Sequence, residues 1–182
     1  MSKTIYKATV LIVVVVPLLA TIVAIRLLWD RAVSGPDLIL LLVSYSLVAL
    51  GVTVGYHRML THRSFRANPV VKLFLLILGS MSFEGPALQW AATHVMHHAK
   101  ADEEGDPHSP VEGFFHAHVG WLFKDRYADP KVYCKNLVND KMVVFVSNTF
   151  VLWCVLSLVI PFAIGGWSGL LWGGLVRMWA VP

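Results

Sequence analysis

Eight histidines stand out in a chain of 182 residues, and all of them fall between positions 57 and 118. Five form two clusters, His57-Arg58-Met59-Leu60-Thr61-His62 and His94-Val95-Met96-His97-His98. An α-helix turns about 100° per residue, so His94, His97 and His98 share an arc of about 100° on one helix face. Neutral imidazole is the commonest nitrogen ligand, and three on one face point to a bound transition metal. A solvated polar face is the plainer reading and the weaker one, because three residues of one rare type coincide there. His57 and His62 are five positions apart, about 140° around an ideal helix. They can share an ion only where the helix ends between them, and alone such a pair usually makes ordinary hydrogen bonds. Val95 and Met96 stand where a zinc protease would carry its HExxH glutamate. Cys134 has no companion cysteine for structural zinc. Nitrogen ligation alone suits iron, zinc, copper and nickel equally.

The elements that must hold these histidines belong to a membrane. The chain is 57% hydrophobic and 14% charged, with a mean hydropathy of +0.65. Soluble domains run near 45–50% apolar and about 25% charged, so a single water-soluble globule is excluded. So is a disordered or nucleic-acid-binding tail, despite the formal charge of +4. Cys134 and Cys154 are too few for a disulfide framework. Residues 8–25 carry no charge, and neither do residues 38–56. A spanning helix needs roughly 20 apolar residues, so spans over 8–28 and 38–56 form a hairpin joined through Arg26, Asp30 and Arg31. A cleaved signal peptide fits less well, because its apolar core would be about 7–15 residues followed by an A-x-A site. Residues 142–176 are again free of charge, and as one helix would run about 52 Å, against a hydrocarbon core of about 30 Å. Pro161 and Gly165-Gly166 divide this stretch into spans over 142–160 and 163–178. Between the hairpins, residues 57–141 form a polar cap. There 70–83 is too short to cross and reads as an interfacial or buried amphipathic helix, and 100–112 reads as a loop. Ten of the fifteen Lys and Arg lie in 57–141, and the positive-inside rule puts that region and the N-terminus in the cytosol. The expected fold is therefore an all-α integral membrane protein. Four transmembrane helices form two hairpins, with a cytosolic histidine-rich helical cap between them, in a single domain over 1–182.

The same residues carry a family resemblance. Gly55-Tyr56-His57-Arg58-Met59-Leu60-Thr61-His62-Arg63-Ser64-Phe65 closely resembles the first histidine box of membrane acyl-CoA (stearoyl-CoA-type) fatty acid desaturases, and Trp90-Ala91-Ala92-Thr93-His94-Val95-Met96-His97-His98 resembles their second. Gly105-Asp106-Pro107-His108-Ser109, Gly113-Phe114-Phe115 and His118-Val119-Gly120-Trp121 follow in the family's order. The short termini place the chain nearer the bacterial branch than the animal one. The resemblance implies a di-iron oxygenase that uses O₂ to introduce a cis double bond into a saturated acyl chain. His57, His62, His94, His97 and His98 would be iron ligands, and no other catalytic side chain is expected. Asp106, His108 and His118 would be supporting or structural, and Trp90 a candidate wall of an apolar substrate tunnel. The implied cofactors are two Fe ions. The implied partners are a fatty acyl substrate on coenzyme A, acyl carrier protein or lipid, O₂, a separate electron-transfer protein and reductase, and the bilayer, with no nucleic acid. Lys124 and Arg126 either meet an anionic acyl carrier or serve as ordinary cytosolic anchors, the latter being favoured. His116 matches nothing in the pattern.

The family also carries a third histidine box after the fourth span, and no histidine follows His118. Two irons with mostly nitrogen shells need more ligands than these five, so the expectation is a desaturase truncated before its third box, with catalysis by this chain alone incomplete. The alternatives are a non-catalytic remnant or partner subunit, and a related membrane di-iron hydroxylase. A heme or metal-ion carrier ranks last, because its paired histidines would lie inside the spans.

Overall fold

Capping residues set most of the helix starts. Ser34 accepts from the Asp37 N–H, and the Asp37 carboxylate accepts from the Ser34 N–H (3.0 Å) and hydroxyl (2.6 Å), a reciprocal box with Pro36 in the first turn. Asn68 caps the helix beginning at Pro69, and Asp140 the helix beginning at Lys141. The computed structural model describes residues 3–29, 33–101, 103–124 and 128–180, and among these it is helical with no strand. In order the helices are α1 (Lys3–Trp29), α2 (Gly35–Leu50) with a π-wound continuation (Gly51–Thr61), α3 (Pro69–Ser80), α4 (Ala87–Ala99), α5 (Phe114–His118), α6 (Pro130–Tyr133), α7 (Lys141–Asn148), α8 (Phe150–Gly169) with a π-wound continuation (Leu170–Val176), and α9 (Arg177–Ala180). Short 3₁₀ turns at Pro110–Glu112 and Gly120–Phe123 flank α5.

Among the described residues, three helical stretches are long and apolar enough to cross a membrane: Lys3–Leu28, Gly35–Thr61 and Phe150–Ala180. Their limits differ from the sequence expectation. The second runs on to Thr61 rather than stopping near residue 56. The span expected over 142–160 is broken at Thr149 (φ −98°, ψ 14°), which separates the short α7 from α8. The third stretch is not straight. Gly166 has φ 58° and ψ −141°, a backbone conformation that glycine adopts without a Cβ penalty. Beyond it the chain runs back along α8: a Cβ on Gly169 would lie 2.1 Å from the Pro161 carbonyl oxygen, and one on Gly173 only 3.0 Å from Pro161 Cβ. Eight and twelve residues along a straight helix would cover about 12 and 18 Å. The reversal therefore sits at the glycine pair, while Pro161 stays within the helix. Ser168 Oγ donates to Asp37 Oδ1 at 2.6 Å, which places the tip of this reversal beside the start of α2.

Close approach of backbones holds the other end together. Gly51 and Gly55, in a GxxxG spacing on the π-wound segment, face α3; a Cβ on Gly51 would meet Gly79 N at 2.2 Å, and one on Gly79 would meet the Tyr56 ring at 2.6 Å. Leu75, Leu76 and Leu78 are buried, so the helix expected over 70–83 forms over Pro69–Ser80 as a packed helix that ends in a turn at 81–83. Ala87, Ala91 and Ala92 are fully buried and place α4 in the same core as Tyr56 and Leu76. An ion pair between Lys72 and Asp140 ties α3 to the start of α7. Arg177, which the sequence offers only as a last basic residue, is 1% exposed. Its Nε donates to Gly173 O (3.1 Å), Nη1 to Met81 O (2.9 Å) and Nη2 to Ser157 Oγ (3.2 Å), pinning the returning chain to the turn after α3.

Candidate metal centre

The winding of the second span solves the problem posed by the five-residue histidine spacing. A π-helix closes its hydrogen bonds from i to i+5, so positions five apart return to nearly the same face. The His62 N–H donates to His57 O at 3.0 Å, and the two Nε2 atoms lie 3.0 Å apart. The helix ends at Thr61, between the two as the ideal-helix reading required, and His62 is its cap residue. Across from this pair, the alanine face of α4 continues at helical spacing into His94 and His98, whose Nε2 atoms are 3.1 Å apart. The four rings stand largely edge to face, with centroids of 4.4 Å for His57–His62, 4.8 Å for His57–His94 and 4.9 Å for His62–His98.

One ligand nitrogen from each of His57, His62, His94 and His98 falls within 4.8 Å of the other three. Nitrogens bound about 2.0–2.1 Å from a metal at right angles are about 2.9 Å apart, and opposed ones about 4.1 Å. The two short pairs match adjacent positions on such a sphere, and the widest separation needs only a small closing movement. The donor set fits a transition-metal ion. Burial first, and then the charges of His57, His98, His62 and His97, push the His94 pKa down to about 4, so its ring is neutral and free to ligate at neutral pH.

His97 faces a different group. Its Nδ1 is 2.9 Å from Oδ1 of Asp106, which is fully buried and also accepts the His108 N–H at 3.1 Å. With Nδ1 committed to the carboxylate, Nε2 is the nitrogen left to bind a metal, the arrangement in which a carboxylate orients a ligating imidazole. His108 stacks on His97 with centroids 4.2 Å apart and packs against Trp121. Burial, followed by the neighbouring His97, holds its pKa below the ordinary value. His97, Asp106 and His108 thus form a second cluster of close donor atoms beside the first, with His97 and His98 centroids 5.8 Å apart.

Trp90 stacks on His94 at 4.8 Å and 16°, and tilts against Tyr56 at 5.5 Å. Its indole N–H donates to Glu84 Oε2 at 2.8 Å, and burial raises the Glu84 pKa against the opposing hydrogen bonds from Trp90 and Ser82. Sequence reasoning passed over Glu84, although an acid between two apolar helices was visible there. Phe83 and Gly85, on either side of it, both have positive φ (69° and 115°), so the carboxylate sits in a tightly specified turn. His118 is exposed, bonded through Nδ1 to Phe114 O of its own helix and packed on the Phe114 ring. His116 is buried, and among the described residues neither ring nitrogen is hydrogen-bonded, its Nε2 lying 3.7 Å from Glu112. Lys124 pairs with Glu112, and Arg126 lies outside the described residues.

The chain matches the fatty acid desaturase family over residues 36–182. It is 39% identical over 188 residues to the hex-5-enoyl acyl-carrier-protein acetylenase of Moorena producens (strain JHB), covering 92% of this chain and 59% of that protein. It is 33% identical over 131 residues to the sn-1 stearoyl-lipid 9-desaturase of Anabaena variabilis, covering 71% and 48%. Against stearoyl-CoA desaturase 5 of Bos taurus it is 36% identical over 138 residues, covering 70% and 41%. The chain thus spans about half the length of the curated relatives it matches.

Proposed function

The chain belongs to the fatty acid desaturase family, and on that premise we propose that it serves the O₂-dependent desaturation of a saturated fatty acyl chain at a histidine-ligated di-iron centre. The observation that carries this reading is the convergence of His57, His62, His94 and His98 from two separate helices onto one donor set. Those four residues would hold one iron, and His97, aligned by Asp106, would offer Nε2 to the second. Bound iron would supply the O₂ chemistry that removes two hydrogens from adjacent carbons; the protein supplies position. Asp106 fixes the ring of His97 and raises its basicity. Trp90, stacked on His94 and held by Glu84, covers the His94 side of the cluster with an apolar ring, while His62 and His98 are exposed.

The membrane arrangement follows four crossings in two hairpins. Supporting this, the reversal at Gly166 lies beside the start of α2, whereas Tyr6 near the other end of α1 donates to Leu122 O in the histidine-bearing region at 2.9 Å. The N-terminus and the histidines then share the cytosolic side, the side favoured by the ten basic residues of 57–141. The relatives' names specify acyl chains on acyl carrier protein, on lipid and on coenzyme A. A carrier-bound acyl chain is therefore the substrate class, with electrons delivered by a separate protein. The test is to supply the protein in native membranes with saturated acyl substrates, reductant and O₂, and to identify products by mass spectrometry. An unsaturated product that disappears in His94→Ala is expected; a hydroxylated product, or unsaturation unaffected by His94→Ala, overturns the proposal.

A further inference from the structure

The segment around α5 carries an apolar surface that the metal centre does not use. Val111, Phe114 and Phe115 are 78%, 80% and 70% exposed, within five residues of one another. The position of this segment relative to the first span is fixed. Tyr6 holds Leu122 O, and Phe123 lines a shallow cleft with Lys3, Thr4, Lys7, Ala8 and Leu11 of α1. That is the level at which α1 passes from its lysines into its uncharged run. Phe115 in turn packs beside Gly120, where an added Cβ would meet its ring at 3.2 Å. The exposed side chains of this segment are therefore within a few residues of the headgroup layer, at the end of α1 where Ile5, Leu11 and Ile12 are also exposed.

We propose that Val111, Phe114 and Phe115 dip into the interface of the membrane that the chain itself spans, so that the 110–123 segment is an interfacial anchor for the histidine-bearing cap. Amphipathic segments bury their apolar side just below the headgroups in this way. Three side chains fall far short of the roughly 800 Å² per partner that a stable protein interface buries, so they suit a lipid surface better than a protein partner. An anchor here holds the loop carrying Asp106 and His108 at a constant height above the bilayer. The inference rests on the membrane-spanning reading, and its test separates the two.

Single cysteines at positions 111, 114 and 115 are labelled with a polarity-sensitive nitrobenzoxadiazole dye in nanodiscs of phosphatidylcholine and phosphatidylglycerol containing nitroxide-labelled lipid. Val151→Cys, at an exposed position of α8, reports the span, and Glu104→Cys reports water. Cys134 and Cys154 are both buried, and the protein without an added cysteine sets the labelling baseline. Blue-shifted emission at 111, 114 and 115, quenched by the lipid nitroxide and shielded from iodide, is expected. Water-like emission at those positions with a lipid-like signal at 151 overturns the anchor and leaves the span intact. Water-like emission in nanodiscs with shielding only in native membranes also overturns it, in favour of a protein partner. Water-like emission at 151 as well removes the membrane premise itself.

Discussion

Replacing Gly51 by alanine tests the packing that brings His57 to its partners. The added methyl would lie 2.2 Å from Gly79 N, 2.4 Å from Leu78 C and 2.7 Å from Leu78 Cβ. Ordinary contacts between heavy atoms lie at about 3.5–4.0 Å, so the overlap exceeds about 1 Å. Two of the three atoms are backbone and cannot rotate away, so the π-wound segment and α3 must separate. Overpacking of this kind costs about 1–3 kcal/mol, and the backbone nature of the clash puts the cost at the upper end. Alanine recovers about 1 kcal/mol through its higher helix propensity. The net loss is about 2 kcal/mol, or roughly 30-fold in the unfolding constant. Gly35→Ala, with no atom within 4 Å of the new methyl, is the matched control and is expected to change stability by no more than about 0.5 kcal/mol. Detergent-titration unfolding in mixed micelles, followed by circular dichroism, measures both. Because His57 rides on the displaced segment, Gly51→Ala is also expected to weaken metal binding. A Gly51→Ala protein as stable as Gly35→Ala would refute the close approach of these helices.

Three further outcomes follow from individual contacts. Asp106→Asn leaves the shape but weakens the partner of His97 Nδ1, and metal affinity in a Co²⁺ titration is expected to fall about 10–100-fold with helicity retained; unchanged affinity would show that Asp106 does not orient the ligand. Glu84→Gln keeps an acceptor for the Trp90 indole and is expected to be nearly neutral, whereas Glu84→Leu leaves that N–H unpaired at a cost of about 1–3 kcal/mol, read by the same unfolding titration. Asp140 is disfavoured as an anion by burial, but the Lys72 ammonium and the Val143 and Met142 N–H groups outweigh this and hold its pKa below the ordinary 3.8. Its contribution is therefore fully present above pH 3.8 and fades as pH falls through the lowered value. Asp140→Ala is expected to cost about 1–2 kcal/mol at neutral pH and to flatten the acid limb of a stability–pH curve.

The histidines that converge were legible in the sequence, and the way they meet was not. His94 and His98 sit at i and i+4, a spacing that any α-helix turns to one side, so composition and periodicity sufficed for them. His57 and His62 needed the π winding, which depends on how Gly51 packs against Gly79 and Gly55 against Leu75, contacts 28 and 20 residues distant in the chain. The same dependence explains the ends of the spans. An apolar run shows where a helix can cross but not that Thr149 breaks one or that the second continues to Thr61. Between Pro161 and the following glycines, a single sequence offers two candidate break points. Only Gly166 takes up positive φ, because Pro161 can stay helical when the returning chain packs Gly169 and Gly173 against it. Glu84 escaped notice because its partner, the indole of Trp90, is visible only once the turn at Phe83–Gly85 is folded.

The most direct test of the central claim is the iron content of the protein purified in detergent after iron loading, measured by inductively coupled plasma mass spectrometry on wild type and single alanine variants. Bound iron in the wild type is expected to drop in His57→Ala, His62→Ala, His94→Ala and His98→Ala, and to persist in His118→Ala, whose ring bonds to Phe114 O of its own helix and packs on the Phe114 ring. Equal iron in all five variants and the wild type, with helicity unchanged, would contradict a metal centre at these four histidines.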